Sequence, residues 1–215
     1  MSNNRRQQKL AKRKARSKAK QKQTRQANNF GTNAHYIKDA LKNPIFECLI
    51  DNSSANGGMR HLIVSKMSGT NVVVLGAFLL DTYCLGIKNT FIQPGSMEQY
   101  RALKSQRPYD EIDPGDAKKL LLDMIDWSRN IGFEPHKDFK KAFKVFDGVN
   151  AEDSMAIFEF GKDGKPFFVA GPHDTPAMCS RVLKTLEKSC GTVGEAFHYM
   201  MPDFSDDILA EDEAF

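Results

Sequence analysis

Asn71-Val-Val-Val-Leu-Gly-Ala-Phe-Leu-Leu-Asp81 is the longest apolar run of the chain, and its reading decides the fold. From Val72 to Leu80 neither face is polar, the pattern of a central strand covered on both sides. Arg60–Lys66 precedes it across Met67-Ser-Gly-Thr70, a turn sequence, so the two segments read as a hairpin. Before them, Ile45–Ile50 reads as a first strand, ended by the turn-rich Asp51-Asn-Ser-Ser-Ala-Asn-Gly-Gly58.

Helical signals follow. Ser96-Met-Glu-Gln99 has the spacing of a capping box and opens a short helix to about Lys104. Asp113-Pro114 supplies an N-cap and a proline at the first helical position. Leu120, Leu121, Met124, Ile125 and Ile131 then recur at helical spacing, and Gly132 suits the residue beyond the end. Pro135–Phe146 reads as another helix, with Phe139, Phe143 and Phe146 along one side. Met155–Phe160 and Pro166–Ala170 read as a second hairpin across Gly161-Lys-Asp-Gly164. Asp174-Thr-Pro176 caps a last helix to about Ser189, with Val182, Leu183 and Leu186 inward and Gly191 after its end. Residues 192–200 are compatible with a final strand. Two hairpins bracketing a helical middle predict an α+β fold, antiparallel hairpins packed against several helices, rather than a doubly wound α/β fold. A hairpin at 155–170 also argues against a ribonuclease-H-like sheet, which needs a crossover there.

Charge divides the chain into three. Residues 1–30 carry eleven basic residues and no acid: Arg5, Arg6, Lys9, Lys12, Arg13, Lys14, Arg16, Lys18, Lys20, Lys22 and Arg25. Residues 203–215 carry six acids and no base, and 31–202 is close to neutral. Only Leu10 and Phe30 are larger apolar side chains in the first segment, too few to offset the entropy of ordering, so a disordered basic arm is expected. Its Lys9–Gln23 stretch is rich in helix formers and is expected to turn helical against phosphates. The organisation read from the sequence is therefore a disordered arm (1–30), a single α+β domain (31–202) and an acidic tail (203–215).

An arm of this kind binds phosphate arrays through counterion release, log K falling against log salt by roughly 0.7–0.9 per phosphate neutralised. Base-specific readout is not expected from it. A solubility tail mixes charge signs, which this segment does not. A mitochondrial transit peptide has an apolar stripe that it lacks. Lys12-Arg-Lys-Ala-Arg16 fits a nuclear localisation run in a eukaryotic host. An anionic membrane surface would attract the charge, but no apolar anchor stands beside it. No run approaches the roughly 18 apolar residues of a membrane span. Four cysteines (Cys48, Cys84, Cys179, Cys190) without a C-x-x-C pair, and no apolar leader, predict a reducing, cytoplasmic setting.

Asp81-Thr-Tyr-Cys-Leu-Gly-Ile-Lys88, Gly132-Phe-Glu-Pro-His136 and Phe160-Gly-Lys-Asp-Gly-Lys-Pro-Phe167 resemble a family of uncharacterised bacterial proteins over about residues 44–200. The resemblance implies a bacterial cytoplasmic origin and lends no activity and no catalytic residues.

Candidate chemistry lies at strand and helix ends. Gly171-Pro-His-Asp-Thr-Pro176 joins a strand to a helix, where backbone N–H groups favour an anion; His173 is a candidate acid or base with Asp174 to orient it. The competing reading makes Asp174 or Thr175 an ordinary N-cap and His173 a turn residue. Asp81 and Cys84 end the most buried strand, and His61 on the neighbouring strand is a candidate base for Cys84; a buried structural cysteine is the competing reading. Asp51, Asp81 and Glu159 are acids at strand ends able in principle to gather a divalent metal. The five histidines lack zinc-ligand spacing, and no Walker loop, G-x-G-x-x-G or G-x-S-x-G occurs, so no metal site or cofactor is predicted.

The leading expectation is a nucleic-acid-associated protein, with RNA or the ribosome as partner, held by the arm. The alternative is a small enzyme on a phosphate-containing substrate, a metal-dependent nuclease or other hydrolase using the acids and His173. A third is an interaction module: Phe204, Ile208, Leu209 and Phe215 interleave with the tail's acids and suit a basic protein partner or the chain's own arm.

Overall fold

The structure is a computed structural model that describes residues 34–52 and 58–201; the basic arm and the acidic tail lie outside these residues. Four strands run up and down in chain order: β1 (Ile45–Asp51), β2 (Met59–Ser68), β3 (Val72–Asp81) and β4 (Gly86–Ser96). A short β5 (Tyr109–Glu111) pairs with the far side of β1, giving an antiparallel five-stranded sheet in the order β4-β3-β2-β1-β5. The β2–β3 hairpin is the expected one, paired without interruption from Ser68↔Val72 to Met59↔Asp81. β3 lies inside the sheet between β2 and β4, and both of its faces are covered, as its unbroken apolar run requires.

β4 was not legible in the sequence. Its Lys88, Asn89, Thr90 and Gln93 break the apolar alternation, and Pro94 argues against a strand. β4 is the sheet's edge, where a missing N–H is tolerated. The tight turn feeding β4 needs glycine at Gly86, which has φ +68°; a Cβ there would stand 2.7 Å from the Ser128 side chain.

One face of the sheet carries the main core. Val64, Val74, Phe78, Leu80 and Ile87 meet α3 (Pro114–Asn130) through Leu120, Leu121, Met124 and Ile125, the residues its periodicity selected. Asp113 caps α3, its side chain accepting from Gly115 N at 2.7 Å and Asp116 N at 3.3 Å. α1 (Ala34–Ala40), ahead of the expected first strand, packs on the same face through Ala40. The expected helix over 135–146 is shorter: His136 N donates to Ile87 O at 3.0 Å, and only α4 (Phe139–Ala142) and a 3-10 turn (Phe143–Phe146) are helical. Its phenylalanine stripe survives, because Phe139 and Phe146 each lie about 6 Å from Phe78, at 6.2 and 6.1 Å between ring centres. The other face is covered at one end by α2 (Met97–Lys104), opened by the expected capping box of Ser96 and Gln99; Tyr100 packs there on Leu49, Ile63, Val73 and Leu75.

The second hairpin does not form. Asp163 and Gly164 both have positive φ, so the predicted turn is present, but its ladder is a single Lys162–Lys165 bridge. Residues 155–160 alternate between exposed and half-buried side chains but join no sheet among the described residues. β6 (Phe167–Val169) pairs in parallel with β7 (His198–Met200) instead, through the crossover helix α5 (Pro176–Ser189). The premise used against a crossover is thereby overturned, although this pair forms its own two-stranded sheet and the class remains α+β. Phe168, Cys179, Leu186 and Phe197, with Cys84 and Ile131, make a second core under it. Among the described residues no helix is long and apolar enough to cross a membrane.

Candidate functional site

The loop before α5 follows the structural reading. Asp174 Oδ2 accepts from Gly171 N at 2.8 Å and closes a turn, Thr175 Oγ1 accepts from Met178 N at 3.3 Å, and His173 is exposed with no hydrogen bond to Asp174. Asp81 is likewise occupied: Oδ1 accepts from Tyr83 N (3.1 Å) and Cys84 N (2.9 Å), shaping the β3–β4 turn, while burial raises its pKa. Cys84 is fully buried in the second core, and desolvation pushes its thiol up. Burial also carries Cys48 up to about 12 and raises Cys179, so none of these is a thiolate at neutral pH. No hydrogen bond joins Cys84 to His61. Glu159 is exposed beside α3, and among the described residues no three His, Cys, Asp or Glu side chains gather as metal ligands. The proposed Asp51–Asp81–Glu159 grouping and the Cys84–His61 pair are therefore both corrected.

What the fold does assemble is Asp51 with His61. Asp51 ends β1 fully buried; its Oδ2 lies 2.9 Å from His61 Nδ1 and 4.0 Å from an Arg107 guanidinium nitrogen. Oδ1 has no partner among the described residues. Arg60 donates from Nε (3.1 Å) and Nη2 (2.8 Å) to the Asp51 main-chain carbonyl, so His61 and Arg107 flank the buried carboxylate and Arg60 holds the backbone of the same residue. A carboxylate on Nδ1 holds that nitrogen protonated and leaves Nε2 as the basic one. The His61 side chain is 33% exposed. Both residues were named from the sequence but assigned other partners. The β1–β2 register, Ile50↔Leu62, makes them neighbours, and nothing in the residue spacing fixes that register.

A second site lies at the root of the arm. α1 begins immediately after it, and Lys38 of α1 lines a depression of about 320 Å³ with Lys141, Lys144, Ile37, Leu41 and Ile92. Lys137, Lys140, Lys141 and Lys144 recur at helical spacing, a signal the sequence reading passed over. No ion pair among the described residues neutralises these lysines. α1 is held in place by Lys66, a buried lysine whose Nζ donates to Leu41 O (3.2 Å) and Asp147 O (3.5 Å). Those carbonyls end α1 and the 3-10 turn, where a cation complements the helix dipoles. Burial lowers the Lys66 pKa, so this amine is a structural clamp under the patch rather than part of it.

Glu47, Tyr100 and Lys104 form a polar knot between β1 and α2. Lys104 Nζ bonds both Glu47 oxygens, at 2.9 and 2.7 Å, and the Tyr100 hydroxyl donates to the same carboxylate and accepts from Ser65. Burial opposes ionisation of Glu47, but these bonds hold its pKa below the ordinary value; burial and the neighbouring carboxylate push Tyr100 up. Every member is partnered, which marks a structural network. No known protein family, curated protein or solved structure matches this chain, so the roles of its residues rest on charge and geometry.

Proposed function

We propose that this is a nucleic-acid-associated protein, with RNA and in particular the ribosome as the favoured partner. The supporting observation is continuity of charge: eleven cations without an acid in residues 1–30 precede α1, whose Lys38 lines a depression with Lys141 and Lys144. A cationic segment that continues into a cationic patch binds phosphates without reading bases, and the folded part sets the orientation of what is bound. Cosedimentation of the full chain and of a 31–215 truncation with ribosomes and bulk RNA, across a salt series, tests this. The full chain is expected to pellet, with affinity falling about 10³-fold or more between low and moderate salt for six phosphate contacts, and the truncation to remain in the supernatant. Equal binding by the truncation moves the site to the domain; no binding by either sinks the proposal.

A second reading, an enzyme acting on a phosphate-containing substrate, is favoured by the Asp51–His61 pair with Arg60 and Arg107 beside it. His61 Nε2 is the base, Asp51 holds its tautomer, and the arginines are the anion-binding groups. In a phosphoesterase screen, His61→Ala is expected to cut any turnover by about 10²-fold or more while His173→Ala leaves it intact. The reverse pattern removes His61 from the chemistry.

A further inference from the structure

Met155-Ala-Ile-Phe-Glu-Phe160 has the inside–outside alternation of a strand but no strand beside it among the described residues. Ala156, Phe158 and Phe160 turn inward, while Met155, Ile157 and Glu159 face out, and Met155 and Ile157 are 90% and 89% exposed. The inward side is anchored along α3: Ser154 Oγ donates to Asp116 Oδ1 at 2.6 Å, Lys119 Nζ lies 5.7 Å from the Phe158 ring, and Phe160 packs on Trp127 at 5.6 Å. Yet from Met155 to Phe160 no backbone N–H or C=O bonds another backbone group of the described residues, and Ala156 N alone finds a side chain, Ser154 Oγ at 3.3 Å. An open row of backbone groups and two almost fully exposed large apolar side chains coincide in one rigidly mounted segment. That combination is a template for strand addition.

We infer that residues 154–160 pair antiparallel with the same segment of a second copy of this chain, about a twofold axis through Ile157. The segment is complementary to itself only in that sense. With Ile157 opposite Ile157, Met155 stands opposite Glu159 and Ala156 opposite Phe158, so the outward apolar side chains meet at the axis. The flanks then match in sign: the antiparallel dyad brings the turn carrying Glu152 and Asp153 of each copy toward the turn carrying Lys162 of the other, and does so twice. Glu152 has no ion pair among the described residues, and Lys162 sits only over the Phe167 ring, at 4.8 Å. A parallel pairing would set Glu152 against Glu152 and Lys162 against Lys162. The acidic tail is a poorer occupant, since its six acids would face Glu152, Asp153 and Glu159. The interface is small, so the dimer is of roughly micromolar affinity.

Sedimentation velocity on the full chain over about 1–200 µM brackets that range. The expected result is a concentration-dependent rise from the 24.2 kDa monomer to twice that mass. Ile157→Lys puts two ammonium groups on the axis and is expected to hold the chain monomeric throughout, with an unchanged circular dichroism spectrum because the side chain is exposed. Glu152→Lys and Lys162→Glu are each expected to weaken association, and E152K/K162E together to restore it. Ile157→Cys is expected to form an interchain disulfide on mild oxidation, since Cα atoms facing across antiparallel strands lie about 4.5–5.5 Å apart. A wild-type chain that stays monomeric overturns the inference. So does a dimer that Ile157→Lys leaves untouched.

Discussion

The β2–β3 hairpin and the segment Met155–Phe160 carry equally clear strand patterns, and only the first has a ladder. Ten consecutive residue pairs join β2 and β3, whereas among the described residues the C-terminal region has the three-residue β6–β7 contact as its one regular pairing. The difference teaches what a strand pattern encodes. It states which sides of the chain are buried, both of them in β3 and alternate residues of Met155–Phe160 against α3. It does not state which strand lies alongside. Pairing in β2–β3 follows from a short turn, while the 161–164 turn hands the chain to β6, whose partner lies across α5.

The largest effects should expose this contrast as two levels of stability. Phe78→Ala removes a fully buried ring from the main core and is expected to cost about 3–5 kcal/mol, unfolding the whole sheet cooperatively. Phe168→Ala removes a ring equally buried in the second core, at a comparable cost in energy, but the loss is expected to stay local. Hydrogen exchange should then speed up in β6, β7 and α5 while β2 and β3 amides keep their protection. Equal loss of protection in β2 and β3 would erase the contrast and make the two regions one cooperative unit.

Smaller effects sharpen it at the helix caps. Asp113→Ala in α3 removes an acceptor serving two N–H groups and is expected to cost about 1–2 kcal/mol in urea unfolding. Thr175→Ala in α5 removes one longer bond and should cost about 0.5–1 kcal/mol. The opposite order would mean that the C-terminal region depends on its caps more than the sheet region does. The smallest effect concerns Glu47 on β1. Its folded pKa lies below the ordinary 4.5, so its contribution is fully present above about that pH and is lost as pH falls through the folded value. Glu47→Gln is expected to be less stable at pH 7 and to show a flatter acid limb between pH 5 and 3 in thermal melts. An unchanged acid limb would show that the knot with Tyr100 and Lys104 forms without the charge.

The candidate sites were legible to different degrees for the same reason. Lysines at helical spacing from Lys137 to Lys144 are a local signal, present in the sequence although passed over. Asp51 and His61 come together across a turn, and no spacing rule names that pair in advance. Asp81, Asp174 and Cys84 looked chemical because they sit at element ends. Those ends also need turn acceptors, caps and packed interiors, and that demand uses them.

By itself the amino-acid sequence determined what short-range energetics decide. These are the β2–β3 hairpin, the caps at Ser96, Asp113 and Thr175, the apolar side of α3, the phenylalanine stripe, and the division of charge between the two ends of the chain. Only the tertiary structure decided that Pro94 lies in an edge strand, that β6 pairs with β7, that Asp51 holds His61, and that 155–160 has no strand partner among the described residues. A cap or a tight turn is settled within a few residues by its own hydrogen bonds. Strand neighbours and buried charge partners are settled by which distant surfaces can close on one another, a competition the whole chain resolves at once.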